Sequence, residues 1–118
     1  MNKISLISFF RKNYRLVRMY LIRKLFRFNN VHSTVYFGYR CKISRDLVAD
    51  QFVFIGSGSQ IYSKVSIGSY SMLGSEVFII GGDHKYDLVG RPMIFSGRDL
   101  QLPTIIGKDV WIGSRCTI

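Results

Sequence analysis

Apolar residues in the C-terminal part of the chain recur with a step of six. Starting at Phe37, they fall at Ile43, Ala49, Ile55, Ile61, Ile67, Leu73 and Ile79. Four residues after each start comes a compact or apolar partner: Cys41, Leu47, Val53, Ser59, Val65, Ser71 and Val77. Glycine follows the aliphatic residue in Ile55-Gly56, Ile67-Gly68 and Leu73-Gly74. After an interruption the spacing returns as Ile106-Gly107-Lys108-Asp109-Val110-Trp111, Ile112-Gly113-Ser114-Arg115-Cys116-Thr117 and Ile118. Neither the α-helical period of about 3.6 nor the strand period of about 2 generates a step of six. A triangular solenoid does, with a short strand and a corner per hexad and three hexads per coil. The aliphatic residue then fills a narrow interior, its partner must be small where corners converge, and glycine relieves backbone crowding. Chance spacing gives three or four such hexads, not ten.

A different pattern precedes the hexads. Ile7, Phe10, Tyr14, Val17, Leu21, Leu25 and Phe28 recur at steps of three or four, while Arg11, Arg15 and Arg18, then Arg23 and Arg27, repeat away from that stripe. This predicts an amphipathic helix over residues 4–28 with a cationic face. Its stripe fits packing on its own domain or a sister subunit. It fits equally the surface of an anionic membrane, where phosphate groups attract Lys and Arg. No uncharged apolar run approaches the ~20 residues needed to span a bilayer. The short run Ile4–Phe10, with no small-residue cleavage site after it, does not read as a secretory signal. The expected division is a basic helical segment over 1–32 and a β-helix over 33–118.

Charge sharpens this division. The formal net charge is +10, yet residues 1–30 hold eight Lys or Arg and no acid, whereas the remainder holds nine basic and seven acidic groups. A nearly neutral domain with a cationic leader is not a uniformly basic nucleic-acid binder, and no base-reading motif accompanies the charge. Cys41 and Cys116 lie far apart, with no Cys-x-x-Cys, which argues against a disulfide scaffold or structural zinc and fits a reducing compartment. A catalytic metal fails on ligand count, since His32 and His84 are the only histidines.

Between Ile79 and Ile106 lie 27 residues where one hexad step needs six. The excess, about 81–104, contains Gly81, Gly82, Gly90, Pro92, Gly97 and Pro103, so it is expected to be irregular and to ride outside the solenoid. It also concentrates Asp83, His84, Asp87, Arg91, Arg98 and Asp99. Long loops are often tolerated insertions, but loops on rigid scaffolds also carry active sites. An imidazole is the side chain best suited to take and return a proton near neutral pH. His84 is the candidate, with Asp83 or Asp87 able to orient it by accepting its other N–H. His32, ahead of the repeats and without a companion, reads as structural or solvated.

The hexads resemble those of the hexapeptide-repeat acyltransferases. Within that family, Ile80-Gly-Gly-Asp-His-Lys-Tyr-Asp-Leu-Val-Gly-Arg-Pro-Met93 followed by Ile105-Ile-Gly-Lys-Asp-Val-Trp-Ile-Gly-Ser114 is similar to sugar O-acetyltransferases of capsule, O-antigen and exopolysaccharide synthesis. The resemblance implies an all-β, left-handed parallel β-helix after the N-terminal amphipathic α-helix. It implies transfer of an acetyl group from acetyl-CoA, without a metal, to a sugar or saccharide-lipid acceptor, with His84 as general base. It places Trp111, Gly113 and Ser114 along the cofactor, Trp111 beside acceptor and pantetheine and the Ser114 backbone N–H at the thioester as an oxyanion donor. Ordinary corner packing for Trp111 and a turn role for Ser114 stand beside these readings. Phe54 and Tyr62 occupy the region where better-known members bind their acceptor, so the acceptor's contacts do not carry over. The family further implies a homotrimer with active sites between subunits, in the cytoplasm. Residues 4–28 offer a peripheral hold on the inner membrane face.

Related transferases continue through several more coils and a terminal cap. Ile118 is an inward position in mid-coil, so the chain reads as C-terminally truncated, as a fragment, or as a protein whose open edge a partner covers. The alternative function is accordingly a catalytically inactive β-helix with a structural or membrane-associating role.

Overall fold

The computed structural model describes residues 3–118, and its principal extents are 71 × 26 × 24 Å. One helix, α1 (Lys3–Leu25), leads into ten very short strands. In chain order these are β1 (Tyr36–Phe37), β2 (Lys42–Ile43), β3 (Val48–Ala49), β4 (Phe54–Ile55), β5 (Gln60–Ile61), β6 (Val65–Ile67), β7 (Met72–Leu73), β8 (Phe78–Ile79), β9 (Thr104–Ile106) and β10 (Trp111–Ile112). They form three parallel sheets, β1-β4-β7-β10, β2-β5-β8 and β3-β6-β9. The chain visits the three sheets in turn, an arrangement consistent with a parallel β-helix of triangular section. Register repeats every coil: Phe37 pairs with Ile55, Ile55 with Leu73, and Leu73 with Ile112. The first partial strand is Val31, bridged to Ala49.

The inward column is the core. Phe37, Ala49, Ile55, Ile61, Ile67, Leu73, Ile79 and Ile106 are buried, and so are the corner partners Leu47, Val53, Ser59, Val65, Ser71 and Val77. Ile43 and Ile112 are half-buried against it. Such a core is aliphatic because it is one side chain wide and every position faces three walls. The two corner serines avoid an unpaired hydroxyl by bridging coils. The Ser71 Oγ donates to the Gly107 carbonyl at 2.7 Å and accepts from the Val110 N–H at 3.1 Å. Ser59 does the same between the Gly74 carbonyl and the Val77 N–H.

Two features shape the corners. Arg40, Phe52, Lys64, Tyr70, Glu76, Asp109 and Arg115 adopt φ between 54° and 64°, each just before its inward corner residue. None is β-branched, the class for which this conformation costs most. Glycine after the inward aliphatic residue answers close stacking rather than an unusual φ: a Cβ on Gly68 would lie 2.7 Å from the backbone of Gly107 one coil on.

Of the fits open to the apolar stripe, packing on its own domain is not the one observed. The stripe Ile7, Phe10, Tyr14, Val17, Leu21 and Leu25 is exposed, and of the expected set only Phe28, beyond the helix, is buried. The docked side instead carries Met19, Ile22, Arg15 and Arg18. Met19 is buried, with its sulfur accepting from the Phe37 N–H at 3.2 Å. Arg18 donates to the carbonyls of Phe37 at 2.6 Å and Gly38 at 2.9 Å, and its guanidinium lies 4.3 Å from the Tyr39 ring centroid. Arg15 lies 5.1 Å over Tyr36. Guanidinium groups pack flat on aromatic rings while satisfying carbonyls, so this cationic face seals the first coil. Among the described residues, no helix is long and apolar enough to cross a membrane.

Candidate active site

The insertion leaves the solenoid after β8 and returns at β9. Partners across it are 39 residues apart, as in Ser75 and Ser114, where those across an uninterrupted coil are 18 apart, as in Tyr39 and Ser57. It runs from Ile80 to Pro103. Contrary to expectation it is not wholly irregular. Residues 83–85 run antiparallel to 97–99: His84 bridges Arg98, the Lys85 N–H donates to the Gly97 carbonyl at 3.0 Å, and the Asp99 N–H donates to the Asp83 carbonyl at 2.9 Å. The Arg98 guanidinium adds a bond to the Gly82 carbonyl at 2.6 Å. A short 3-10 turn, Met93–Phe95, closes the far end.

The arm is clamped where it rejoins the solenoid. Gln101 exchanges two hydrogen bonds with Ser63, its Oε1 accepting from the hydroxyl at 3.1 Å and its Nε2 donating to the carbonyl at 2.9 Å. The Lys64 ammonium donates to the Gln101 carbonyl at 2.9 Å. Nothing in the sequence pattern marks Gln101 or Arg98 for these roles, because each acts on backbone or on a residue remote in sequence.

His84 therefore sits at the root of a pinned arm, half-buried, with Nδ1 shielded from solvent and lacking any hydrogen-bond partner. A neutral imidazole has one donor and one acceptor nitrogen, so this ring can exchange a proton or a hydrogen bond with a group brought to it. Asp83 and Asp87 are exposed, and no hydrogen bond joins either to the imidazole among the described residues. In paired, extended backbone neighbouring side chains point to opposite sides, which directs Asp83 away from His84. His32 is hydrogen-bonded locally, its Nδ1 2.8 Å from the Thr34 hydroxyl.

Trp111 stands on the outer side of β10, 76% exposed, and is not corner packing. Gly113 has open space where a side chain would be. The Ser114 hydroxyl accepts from the Ser75 N–H at 3.1 Å, a turn contact between coils that leaves its own backbone N–H free of that bond. The three cofactor candidates thus lie together on one stretch, but His84 does not join them. The arm departs from the corner between the β2-β5-β8 and β3-β6-β9 sheets, which is the corner opposite the sheet bearing Trp111. A cavity of about 530 Å³ lies elsewhere, between α1 and the first coil, lined by Arg11, Lys12, Arg15, Tyr36 and Phe54 among others.

Two outer surfaces on these opposite sides are apolar. Tyr36, Phe54, Met72 and Trp111 form one ladder, with Tyr36 and Phe54 stacked at 5.4 Å. Val89, Ile94, Phe95 and Leu100 make the arm the other. Comparison of the chain with protein-family models, with curated proteins and with solved structures finds no match.

Proposed function

We propose that the chain is an acyltransferase of the left-handed parallel β-helix class, moving an acetyl group from acetyl-CoA to a saccharide hydroxyl. The observation that carries this reading is His84, a half-buried imidazole at the root of an arm that hydrogen bonds hold in place. In the proposed reaction His84 takes the proton of the acceptor hydroxyl as its oxygen attacks the thioester carbonyl. The backbone N–H of Ser114 stabilises the oxyanion, the carbon–sulfur bond breaks, and the departing thiolate of CoA regains the proton from the imidazolium. Trp111 and Gly113 line the pantetheine.

His84 and Trp111 cannot meet within one chain, so the reading requires further copies. The apolar arm and the apolar ladder lie on opposite sides, as a head-to-tail contact needs, and such contacts close into rings. A homotrimer in the cytoplasm is the assembly proposed.

The test measures free CoA thiol released from acetyl-CoA in the presence of capsule-type oligosaccharides, beside calorimetric titration with acetyl-CoA. Turnover by the wild type that His84→Ala lowers at least about a hundredfold supports the assignment. Equal turnover in the variant removes His84 from the mechanism. A wild type that neither binds nor turns over acetyl-CoA is an inactive β-helix.

A further inference from the structure

The side of α1 turned away from the solenoid carries a continuous apolar surface that the solenoid does not cover. Leu6, Phe10, Val17 and Leu21 fall on one line at helical spacing, flanked by Phe9 and Tyr20, and all six are exposed by 40–63%. The opposite side holds Met19, Arg15 and Arg18 against the first coil, so the solenoid cannot cover this line. Isolated exposed apolar residues are ordinary, but a continuous stripe along a helix is an interaction surface.

We infer that this face docks on an anionic lipid bilayer, with α1 lying in the plane of the interface. Charge selects the occupant. The helix and the residues just after it carry Lys3, Arg11, Lys12, Arg15, Arg18, Arg23, Lys24 and Arg27, and the first acidic residue of the chain is Asp46. Two such helices packed face to face would gather cations from both copies with no carboxylate between them, which disfavours a second copy as the occupant. Nucleic acid would meet cations but leave the Phe and Leu side chains in water. A bilayer rich in acidic lipid meets both: hydrocarbon takes the apolar line to a depth of roughly 5–10 Å, and Lys24, one turn beyond Tyr20 on that same side with its ammonium 5.9 Å from the Tyr20 ring centroid, reaches the phosphates. At about 1.5 Å per residue the 23 residues of α1 lie along some 34 Å of surface. The inference stands independently of the acyltransferase reading.

The full chain is incubated with vesicles of phosphatidylcholine alone or of equal parts phosphatidylcholine and phosphatidylglycerol, and bound protein is recovered by flotation. Binding is expected to the acidic vesicles, weakening as salt rises. The double variant Phe10→Glu, Val17→Glu is expected to bind at least about tenfold more weakly, since each side chain surrenders its transfer into hydrocarbon. Lys24→Glu is expected to weaken binding about fivefold or more. Both sites are exposed, and an unchanged melting temperature establishes that the variants fold. No binding to acidic vesicles, or equal binding by the double variant, overturns the inference. So does a wild-type oligomer in analytical ultracentrifugation that the double variant dissociates, which assigns the face to a second copy.

Discussion

His84 and Trp111 belong to opposite sides of the same solenoid: the arm bearing the imidazole leaves one corner, and the indole stands on the sheet facing away from it. If the two groups serve one site, that site lies between copies. His84→Ala and Trp111→Ala chains, each inactive alone, are then expected to regain activity when co-expressed. Random mixing pairs an intact imidazole with an intact indole at about a quarter of the interfaces, so about a quarter of wild-type turnover is expected. Mixtures as inactive as either parent would place both groups in separate roles.

The coil spacing leads to a prediction about glycine. A methyl on Gly68 would press on the Gly107 backbone one coil on, at 2.7 Å. Backbone cannot yield as a flexible side chain does. Gly68→Ala is expected to cost about 2 kcal/mol or more in thermal unfolding. A loss below about 0.5 kcal/mol would mean that adjacent coils are not stacked this closely.

The solenoid was legible in the sequence because its core is one residue wide, so each inward position must be aliphatic and the period survives undiluted. The inward column from Phe37 to Ile79 and the corner serines Ser59 and Ser71 all follow from that. The left-handed corner residues were not legible, since Arg40, Phe52, Lys64, Tyr70 and Glu76 are not residues that signal positive φ. There the stacked coils impose the conformation, and contacts such as the 5.5 Å stack of Phe52 on Tyr70 help offset it. The docked face of α1 was not legible for a related reason. Apolar periodicity normally marks the buried side, but here Arg18 and Arg15 seal the seam through carbonyls and aromatic rings. At the candidate site, residue type alone singles out His84 as a candidate base. Its pairing with Arg98 could not, because those short arms lack the alternation that marks a strand.

Asp46 ties two coils through a corner and makes their stability depend on pH. Its carboxylate accepts from the Ser44 hydroxyl and from the Lys64 N–H at 2.8 Å, and these bonds hold its pKa below the ordinary 3.8. Because the folded value is the lower one, the stabilisation is present above the unfolded pKa and disappears as pH falls through the folded one. Asp46→Asn is therefore expected to melt below the wild type at neutral pH, by a small margin because the carboxylate is exposed. The gap should close on titration to acid below the ordinary carboxylate range. A gap independent of pH would show that the contribution of Asp46 is not ionic.

The two cysteines should report on the integrity of the first coil. Cys41 is half-buried, its thiol donates to the Gly56 carbonyl at 3.3 Å, and burial raises its pKa, so little thiolate forms near neutrality. Cys116 is exposed. Thiolate is the reactive form, and access multiplies its effect. Iodoacetamide is expected to modify Cys116 at least about tenfold faster than Cys41, with the slow phase alone remaining in Cys116→Ser. Replacing Arg18 by Ala removes the bonds to Phe37 and Gly38, two coil residues just ahead of Cys41. If the helix seals that coil, Arg18→Ala should accelerate Cys41 modification and leave Cys116 unchanged. An Arg18→Ala chain whose Cys41 reacts no faster than the wild type's would show that the first coil closes without α1.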